Sequence, residues 1–314
     1  MSLLSSIYGS GVKLRNALYD RSVLPVNKLN GPVISVGNLS VGGSGKTPFV
    51  LLLGKLLKQR ELPFDILSRG YGRSTRGVAL VDPAGTARQY GDEPVLLARR
   101  LQVPVIIGES RYQAGTFAEK KFGAHFHLLD DGFQHRSLAR DFEIVLLTQE
   151  DTTDRLLPAG RLREPLTSLS RADAIVVTSA MPTGQLELKG SAVWRVTRGI
   201  AAADVPGRPV AFCGIARAKS FFSDLRMAGI EPVVETSYPD HHPYTQADIQ
   251  RLTALCRQVN GGGFVTTEKD WVNLGDLAAQ LDPLAVAVVT MELADSANAV
   301  DTMLHTIRER RRAS

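Results

Sequence analysis

Apolar residues fall along the chain in two rhythms. Short unbroken apolar runs at 32–37, 64–67, 103–107, 126–129, 143–147 and 174–178 show little polar alternation, as strands buried on both faces do. Between several of them, apolar positions recur at helical spacing over 48–60, 92–101 and 111–122. The spacing predicts βαβ units and a mainly parallel sheet covered on both faces. A small hairpin is expected over 77–82 and 86–90, around Pro83 and Gly85. At 182–208 the pattern thins to scattered Gly and Pro round one short strand, 192–196, which reads as a linker. A second α/β unit follows, with strands near 210–214, 232–235, 263–267 and 285–291 and helices over 217–228, 245–259 and 295–312. The expected fold class is α/β, with two α/β/α domains: residues 1–182, a short β linker at 183–208, and a smaller unit at 209–314 whose last helix can pack back on the first.

The N-terminal segment has its own pattern. On a helical wheel of residues 2–21, Leu3, Leu4, Ile7, Tyr8, Gly11, Leu14 and Leu18 share one face, with Arg15 near its edge. Ser2, Ser5, Ser6, Ser10, Lys13, Asn16 and Asp20 take the other. Such a stripe suits a helix packed on the protein's own core. It also suits an interfacial helix on an anionic membrane, because Lys13, Arg15, Arg21 and Lys28 outweigh Asp20. No apolar run reaches the ~20 residues that span a bilayer. The start of the chain lacks a signal peptide's continuous apolar region.

Composition narrows the class. Over 314 residues, 44% hydrophobic and 22% charged residues exclude a disordered, collagen-like or disulfide-scaffold chain. The net charge of +5 allows an anionic partner and selects none. Cys213 and Cys256 are too few for a disulfide framework or a four-thiolate zinc site, and read as buried thiols in a reducing compartment. The basic end, Arg308, Arg310, Arg311 and Arg312, reads as a solvated helix terminus.

The sharpest chemical signal is SVGGSGKTP at 40–48, directly after a strand and before a helix. Ser40, Val41, Gly42, Gly43, Ser44 and Gly45 let the backbone curl so that its N–H groups face phosphate oxygens, and the helix start adds favourable potential for an anion. Lys46 would reach the outer phosphates of a nucleotide, and Thr47 would offer its hydroxyl to Mg²⁺. Pro48 suits the first helical turn. A strict P-loop has Gly where Ser40 stands.

Asp130 and Asp131 close an apolar strand beside this loop, where carboxylates can hold Mg²⁺ or activate a nucleophile; they also suit a turn before Gly132. Gln134 and His135 follow at the same sheet edge. In GDEP at 91–94, Asp92 can cap a helix or act as a general base. In YPDHHPYT at 238–245, Asp240, His241 and His242 form a polar turn that can orient a base; no complementary zinc-ligand set accompanies it. In RLRE at 161–164, Arg161 and Arg163 can clamp phosphate or stand in solvent. TTEKD at 266–270 is not a guanine-reading motif, and none occurs elsewhere.

SVGGSGKTP, LSRGYGR, GDEP, DDGFQH, LLPAGRLREP, YPDHHPYT and TTEKDW follow in this order across residues 40–271. Together they resemble the tetraacyldisaccharide 4′-kinases, the lipid A 4′-kinases of Gram-negative bacteria, over nearly the whole chain. That family's own loop reads SVGGxGKTP, so Ser40 is normal within it. The resemblance implies transfer of the ATP γ-phosphate to the 4′-hydroxyl of a tetraacyl glucosamine disaccharide 1-phosphate, giving lipid IVA. It implies Mg²⁺ and work at the cytoplasmic face of the inner membrane as a peripheral protein. Lys46 and Thr47 match nucleotide and metal positions, and Asp130, Asp131 and Glu164 match acidic positions near the metal. Asp92 matches the base, with His241 favoured over His242 as its partner. Arg69, Gln134, His135 and Arg163 match substrate or supporting positions.

The expected partners are therefore an acylated disaccharide lipid and an anionic membrane surface. No nucleic acid and no obligatory protein partner are expected. The rival reading is a P-loop nucleotide-hydrolysing switch or metallochaperone, which calls for a guanine motif or a metal-ligand cluster, and the chain has neither.

Overall fold

The computed structural model describes residues 3–182, 184 and 190–313. Ser2 of the first helix, and 183 and 185–189 of the expected linker, lie outside them. The chain opens with α1 (Leu3–Asp20), then β1 (Val33–Asn38), α2 (Lys46–Gln59), β2 (Phe64–Ser68), β3 (Ala79–Leu80), α3 (Ala87–Tyr90), α4 (Asp92–Leu101), β4 (Val105–Ile107) and α5 (Arg111–Phe122). It continues through β5 (Phe126–Asp130), β6 (Phe142–Leu146), β7 (Ala174–Thr178), β8 (Ala192–Ala201), β9 (Pro209–Cys213) and α6 (Ala218–Met227). The last elements are β10 (Val234–Ser237), α7 (Gln246–Gln258), β11 (Gly263–Thr267), α8 (Glu268–Leu274), β12 (Leu284–Leu293) and α9 (Ser296–Arg312).

Among the described residues the strands line up as β10-β9-β11-β12-β8-β7-β6-β1-β5-β2-β4-β3. Neighbours run parallel except at two places: β3 against β4, and β8 against β12. The last two are long and change partners midway. The first half of β8 pairs with β7 and its second half with β12, whose own first half pairs with β11. These strands carry one block of parallel sheet into the other. The linker strand thus runs to Ala201, beyond the expected 192–196, because WRVTRGIA finds an edge to pair with at every position.

A second departure lies at 86–90. The expected second hairpin strand is the short helix α3, fixed by a capping box in which Thr86 and Gln89 satisfy each other's backbone N–H. Ala79 and Leu80 pair with β4 instead.

One face of the first block is covered by α2, α4 and α9. Phe49, Leu53 and Leu57, Val95 and Leu97, and Val300, Met303 and Ile307 meet Ile34, Ile66, Leu128 and Ile144 in one buried cluster. On the other face α5 packs Ala114 and Ala118 on Leu67, Ile106 and Leu129. Arg308, Arg310 and Arg312 of the basic end are exposed, as expected, but two of its arginines also make ion pairs: Arg310 with Asp173 at 2.6 Å and the half-buried Arg311 with Asp141 at 2.8 Å, tying α9 to the starts of β7 and β6. Both cysteines are buried and free, and burial, then Asp270, pushes the Cys213 thiol up to about 12.

Tight packing behind β1 makes a prediction. A Cβ on Gly37 would lie 2.5 Å from the Phe133 Cβ and 2.7 Å from its backbone nitrogen. Gly37→Ala should therefore cost about 1–3 kcal/mol, read as a lower denaturant midpoint with an unchanged slope.

The first helix docks by its small and polar side. Ser5 is buried and donates to the Leu156 carbonyl at 3.2 Å, and Gly9 sits against Leu156. Tyr8 Oη donates to the Arg163 carbonyl at 3.0 Å, Asn16 donates to Glu164 at 2.7 Å, and Arg15 donates to the Gln134 carbonyl. Most of the apolar stripe faces out, with Leu3 77%, Leu4 65%, Ile7 62% and Leu14 63% exposed, while Tyr8 and Leu18 at its edge are half-buried. This overturns packing of the stripe on the protein's own core. Among the described residues no helix is long and apolar enough to cross a membrane.

Candidate active site

The C-terminal ends of β1 and β5 open into a cleft of about 750 Å³. The loop after β1 wraps its floor. Gly42 and Gly45 take left-handed backbone angles, φ 91° and 84°, which only Gly adopts without strain. Gly45 is the N-cap of α2, so the helix begins at Lys46 with its first N–H groups facing the cleft. The Arg161–Arg163 segment zips onto the loop: Val41 N donates to the Arg161 carbonyl at 2.8 Å, and Arg163 N to the Leu39 carbonyl at 2.6 Å. Lys46 Nζ donates to Asn38 Oδ1 at 3.0 Å and stands 3.5 Å from Asp131. Thr47 Oγ1 donates to Glu93 at 3.3 Å.

The two aspartates at the end of β5 have opposite electrostatics. Burial works to raise the Asp131 carboxyl, but Lys46 and Arg163 outweigh it and hold the group well below the usual carboxylate range. The Arg163 guanidinium grips both Asp131 oxygens, at 2.8 and 3.0 Å, and also donates to Asn38. Asp130 is pushed up to about 7, first by burial and then by Glu93 and Asp131. Its Oδ2 accepts from Ser68 at 3.0 Å, whereas its Oδ1 is buried without a partner.

Across the cleft, His241 Nδ1 lies 2.8 Å from Asp92 Oδ2. The two are 149 residues apart in the chain. The helix start explains Asp92: Gly91 is the N-cap, and Asp92 is the first helical residue rather than the cap. Asp92 is buried behind the imidazole, which itself lines the cleft, so the expected roles are corrected: His241, not Asp92, is the group that faces the cleft, and Asp92 is its partner. Burial would raise the Asp92 carboxyl; the His241 hydrogen bond and the Lys269 charge outweigh it and lower it. His241 is raised, chiefly by its hydrogen bond to Asp92 and against the effect of burial. The neighbouring histidine is used elsewhere. His242 Nε2 meets Asp248 at 3.2 Å and its ring stacks on Tyr238 at 4.6 Å, so its place as an alternative partner of Asp92 is corrected.

A family model, "Tetraacyldisaccharide-1-P 4'-kinase", matches residues 1–308. A tetraacyldisaccharide 4′-kinase from Koribacter versatilis is 48% identical over 320 residues, covering 99% of each chain. The Aquifex aeolicus tetraacyldisaccharide 4′-kinase is 39% identical over 287 residues, covering 86% of this chain and 88% of that one. A crystal structure of Aquifex aeolicus LpxK in complex with ATP superposes with a TM-score of 0.77 at 34% identity, covering 97% of each chain. The chain belongs to the tetraacyldisaccharide 4′-kinase family.

In this member of the family, Arg69, Lys46, Thr47, Asp130, Asp131, Arg163 and His241 line one cleft, together with the whole loop from Ser40 to Gly45. Gln134 stands behind it, its amide donating to the Asn38 carbonyl at 2.9 Å. His135 lies near Ser137 at 3.3 Å and is lowered to about 4 by burial, then by Arg111 and Arg140, so it is neutral at pH 7. Glu164 is a correction. It is fully buried and turned away from the cleft, accepting from Asn16 at 2.7 Å and from Arg171 at 2.9 Å. Consecutive side chains of an extended loop point apart, so Arg163 at the site puts Glu164 under α1.

Glu93, Asn38, Arg111, Lys269 and Asn273 belong to the site and were not singled out by the motifs. Glu93 and Lys269 were visible within GDEP and TTEKDW, where only their neighbours suggested a role. Arg111 sits at the start of α5, lowered to about 10 by burial while Asp130 and Asp131 act to raise it. Asn38 and Asn273 carry no sequence signal of their own.

Proposed function

We propose that this chain transfers the ATP γ-phosphate to the 4′-hydroxyl of a tetraacyl glucosamine disaccharide 1-phosphate in lipid A biosynthesis, with the Asp92–His241 pair taking the hydroxyl proton. The observation that carries this reading is the meeting of that pair, Lys46, and the Asp130–Asp131 carboxylates round one cleft. The loop at 40–47 cradles the phosphates with backbone N–H groups, and Lys46 bridges toward the outer ones. Arg163 and Lys46 keep Asp131 ionised. His241 presents its imidazole to the cleft, while Asp92 holds Nδ1–H and so fixes the tautomer in which Nε2, 3.7 Å from Asp240, accepts a proton. The sugar hydroxyl gives its proton to that nitrogen as its oxygen bonds to phosphorus and the bond to ADP breaks.

The donor set fits Mg²⁺. Among the described residues no group of three or more His, Cys, Asp or Glu forms a protein-only metal site. Mg²⁺ usually takes one or two carboxylates together with substrate phosphates. Thr47, Asp130 and Asp131 would hold it, and the orphaned Asp130 Oδ1 is an oxygen in need of such a partner. When bound, the ion neutralises charge on the phosphoryl group in transfer.

In this reading residues 1–182 and 209–314 act as two lobes joined by 183–208, and the outward stripe of α1 lies on the anionic cytoplasmic face of the inner membrane. Tyr8 on that helix touches the loop that carries Arg163, so the lipid-facing surface and the cleft share a wall. Leu4→Ser, Ile7→Ser and Leu14→Ser combined should weaken sedimentation with anionic vesicles by about tenfold or more, since each buried leucine or isoleucine contributes up to ~1.5–3 kcal/mol. Undiminished binding would place the membrane contact elsewhere.

The proton acceptor predicts a pH profile. Turnover should fall on the acid side as His241 protonates, with its midpoint above the ordinary imidazole value of ~6.5. A profile flat across that range would remove His241 from proton transfer. The reading as a whole is tested by following labelled γ-phosphate from ATP into the lipid phase: label in the lipid supports it, and hydrolysis of ATP without lipid labelling contradicts it.

A further inference from the structure

The segment TTEKDW forms the end of β11 and the start of α8, and the chemistry above leaves it without a task. Its core is Asp270, fully buried and saturated with donors. Asp270 Oδ1 accepts from Gly214 N at 2.7 Å and from Tyr244 Oη at 2.8 Å, and Oδ2 accepts from Thr267 Oγ1 at 2.5 Å. Gly214 in turn accepts at its carbonyl from His241 N at 3.0 Å. One carboxylate therefore fixes α8 to the same loop that carries His241.

From that anchor, α8 sends two side chains, one helical turn apart, toward the first turn of α4. Lys269 Nζ donates to Glu93, and Asn273 Nδ2 donates to Asp92 Oδ2 at 3.2 Å. That oxygen is the one His241 meets. Glu93 accepts from Thr47 on the phosphate loop. Lys269 is half-buried, and the negative charge of Glu93 and Asp92 outweighs desolvation to keep it protonated. On the outer side of the same seam Arg100 pairs with Glu268, and the Arg99 guanidinium lies 5.3 Å over the Trp271 ring.

We infer that Lys269 and Asn273 are positioning residues: α8 clamps the consecutive carboxylates Asp92 and Glu93, so that the proton-accepting pair and the phosphate loop are held in register with each other. This rests on the Asp92–His241 reading. Asp92 Oδ1 already accepts from the Glu93 backbone N–H at 2.9 Å. Asn273 adds a second donor on the oxygen that meets His241, and the Lys269–Glu93 pair fixes the backbone turn that carries both carboxylates.

The test is steady-state kinetics on the full chain with Mg·ATP and the lipid substrate. Asn273→Ala should lower kcat about tenfold, the scale of one hydrogen bond to a charged group, with the KM for ATP within about twofold. Asn273→Asp keeps the shape, replaces the donor by a repelling carboxylate, and should lower kcat at least as far; it stands in if the alanine variant does not fold. Lys269→Met should lower kcat, and Lys269→Arg should restore part of it. On a His241→Ala background, Asn273→Ala should add less than about a twofold loss, because the two act through one carboxylate. If His241→Ala loses turnover while Asn273→Ala, Asn273→Asp and Lys269→Met keep the parental kcat, the clamp is overturned and the catalytic pair stands. If His241→Ala itself keeps the parental kcat, the pair is overturned and the clamp with it.

Discussion

Lys46→Ala loses ATP affinity and turnover together, with kcat falling about a hundred- to a thousand-fold, the cost of removing one preorganised donor from a developing charge. The structure gives the reason. Lys46 stands at the first position of α2, held by Asn38 at 3.0 Å and facing Asp131 at 3.5 Å. Its ammonium is the cation the loop brings to the phosphates. Removing it also leaves Asp131 with Arg163 as its remaining close cationic partner, so the carboxylate pair beside the phosphates becomes harder to ionise. Calorimetric titration with ATP reads the affinity, and single-turnover transfer reads the rate. Weakened ATP binding at an unchanged transfer rate would confine Lys46 to holding the nucleotide.

Asp92→Ala separates binding from chemistry. Turnover should fall about a hundred- to ten-thousand-fold, the range for a positioned acid–base group, while ATP affinity stays close to the parental value. Asp92 is buried behind His241, away from the loop that cradles the phosphates. Without the carboxylate, His241 Nδ1 loses its acceptor and the ring its fixed tautomer. The helix loses one first-turn bond, Glu93 N to Asp92 Oδ1 at 2.9 Å, while its N-cap, Gly91, is untouched. Measured by ATP titration beside initial rates, unchanged turnover would leave Asp92 a structural residue of the first helical turn.

Much of this was legible along the chain because the informative patterns are local. Strands buried on both faces write themselves as unbroken apolar runs, and α4 and α5 fall within the helical stretches the spacing marked. The phosphate loop is legible for the same reason, since strand, loop and helix are contiguous. One failure was local and the others were not. The Thr86–Gln89 capping box outweighed a strand-like run. The extension of β8 depended on β12, far along the chain. The stripe on α1 says that an apolar face exists but not which face docks; Ser5 and Gly9 decided it by letting the helix come close to Leu156.

The site divided in the same way. Either histidine of the DHH turn fits a partner role on sequence grounds, and the fold assigns them by what each faces: Asp92 for His241, Asp248 for His242. The family resemblance places Glu164 near the metal, yet the backbone turns it beneath α1, onto Asn16 and Arg171. Asn273 reaches Asp92 from 181 residues away, a distance no motif spans.

In the proposed reaction one cleft joins ATP to a sugar hydroxyl of an acylated disaccharide. The most direct measurement is the structure of the lipid product after incubation with Mg·ATP, by mass and by phosphorus–proton correlation NMR. The expected product carries one added phosphate, coupled to the proton at the 4′ position. An unmodified lipid with ATP consumed, or a phosphate at any other carbon, would contradict it.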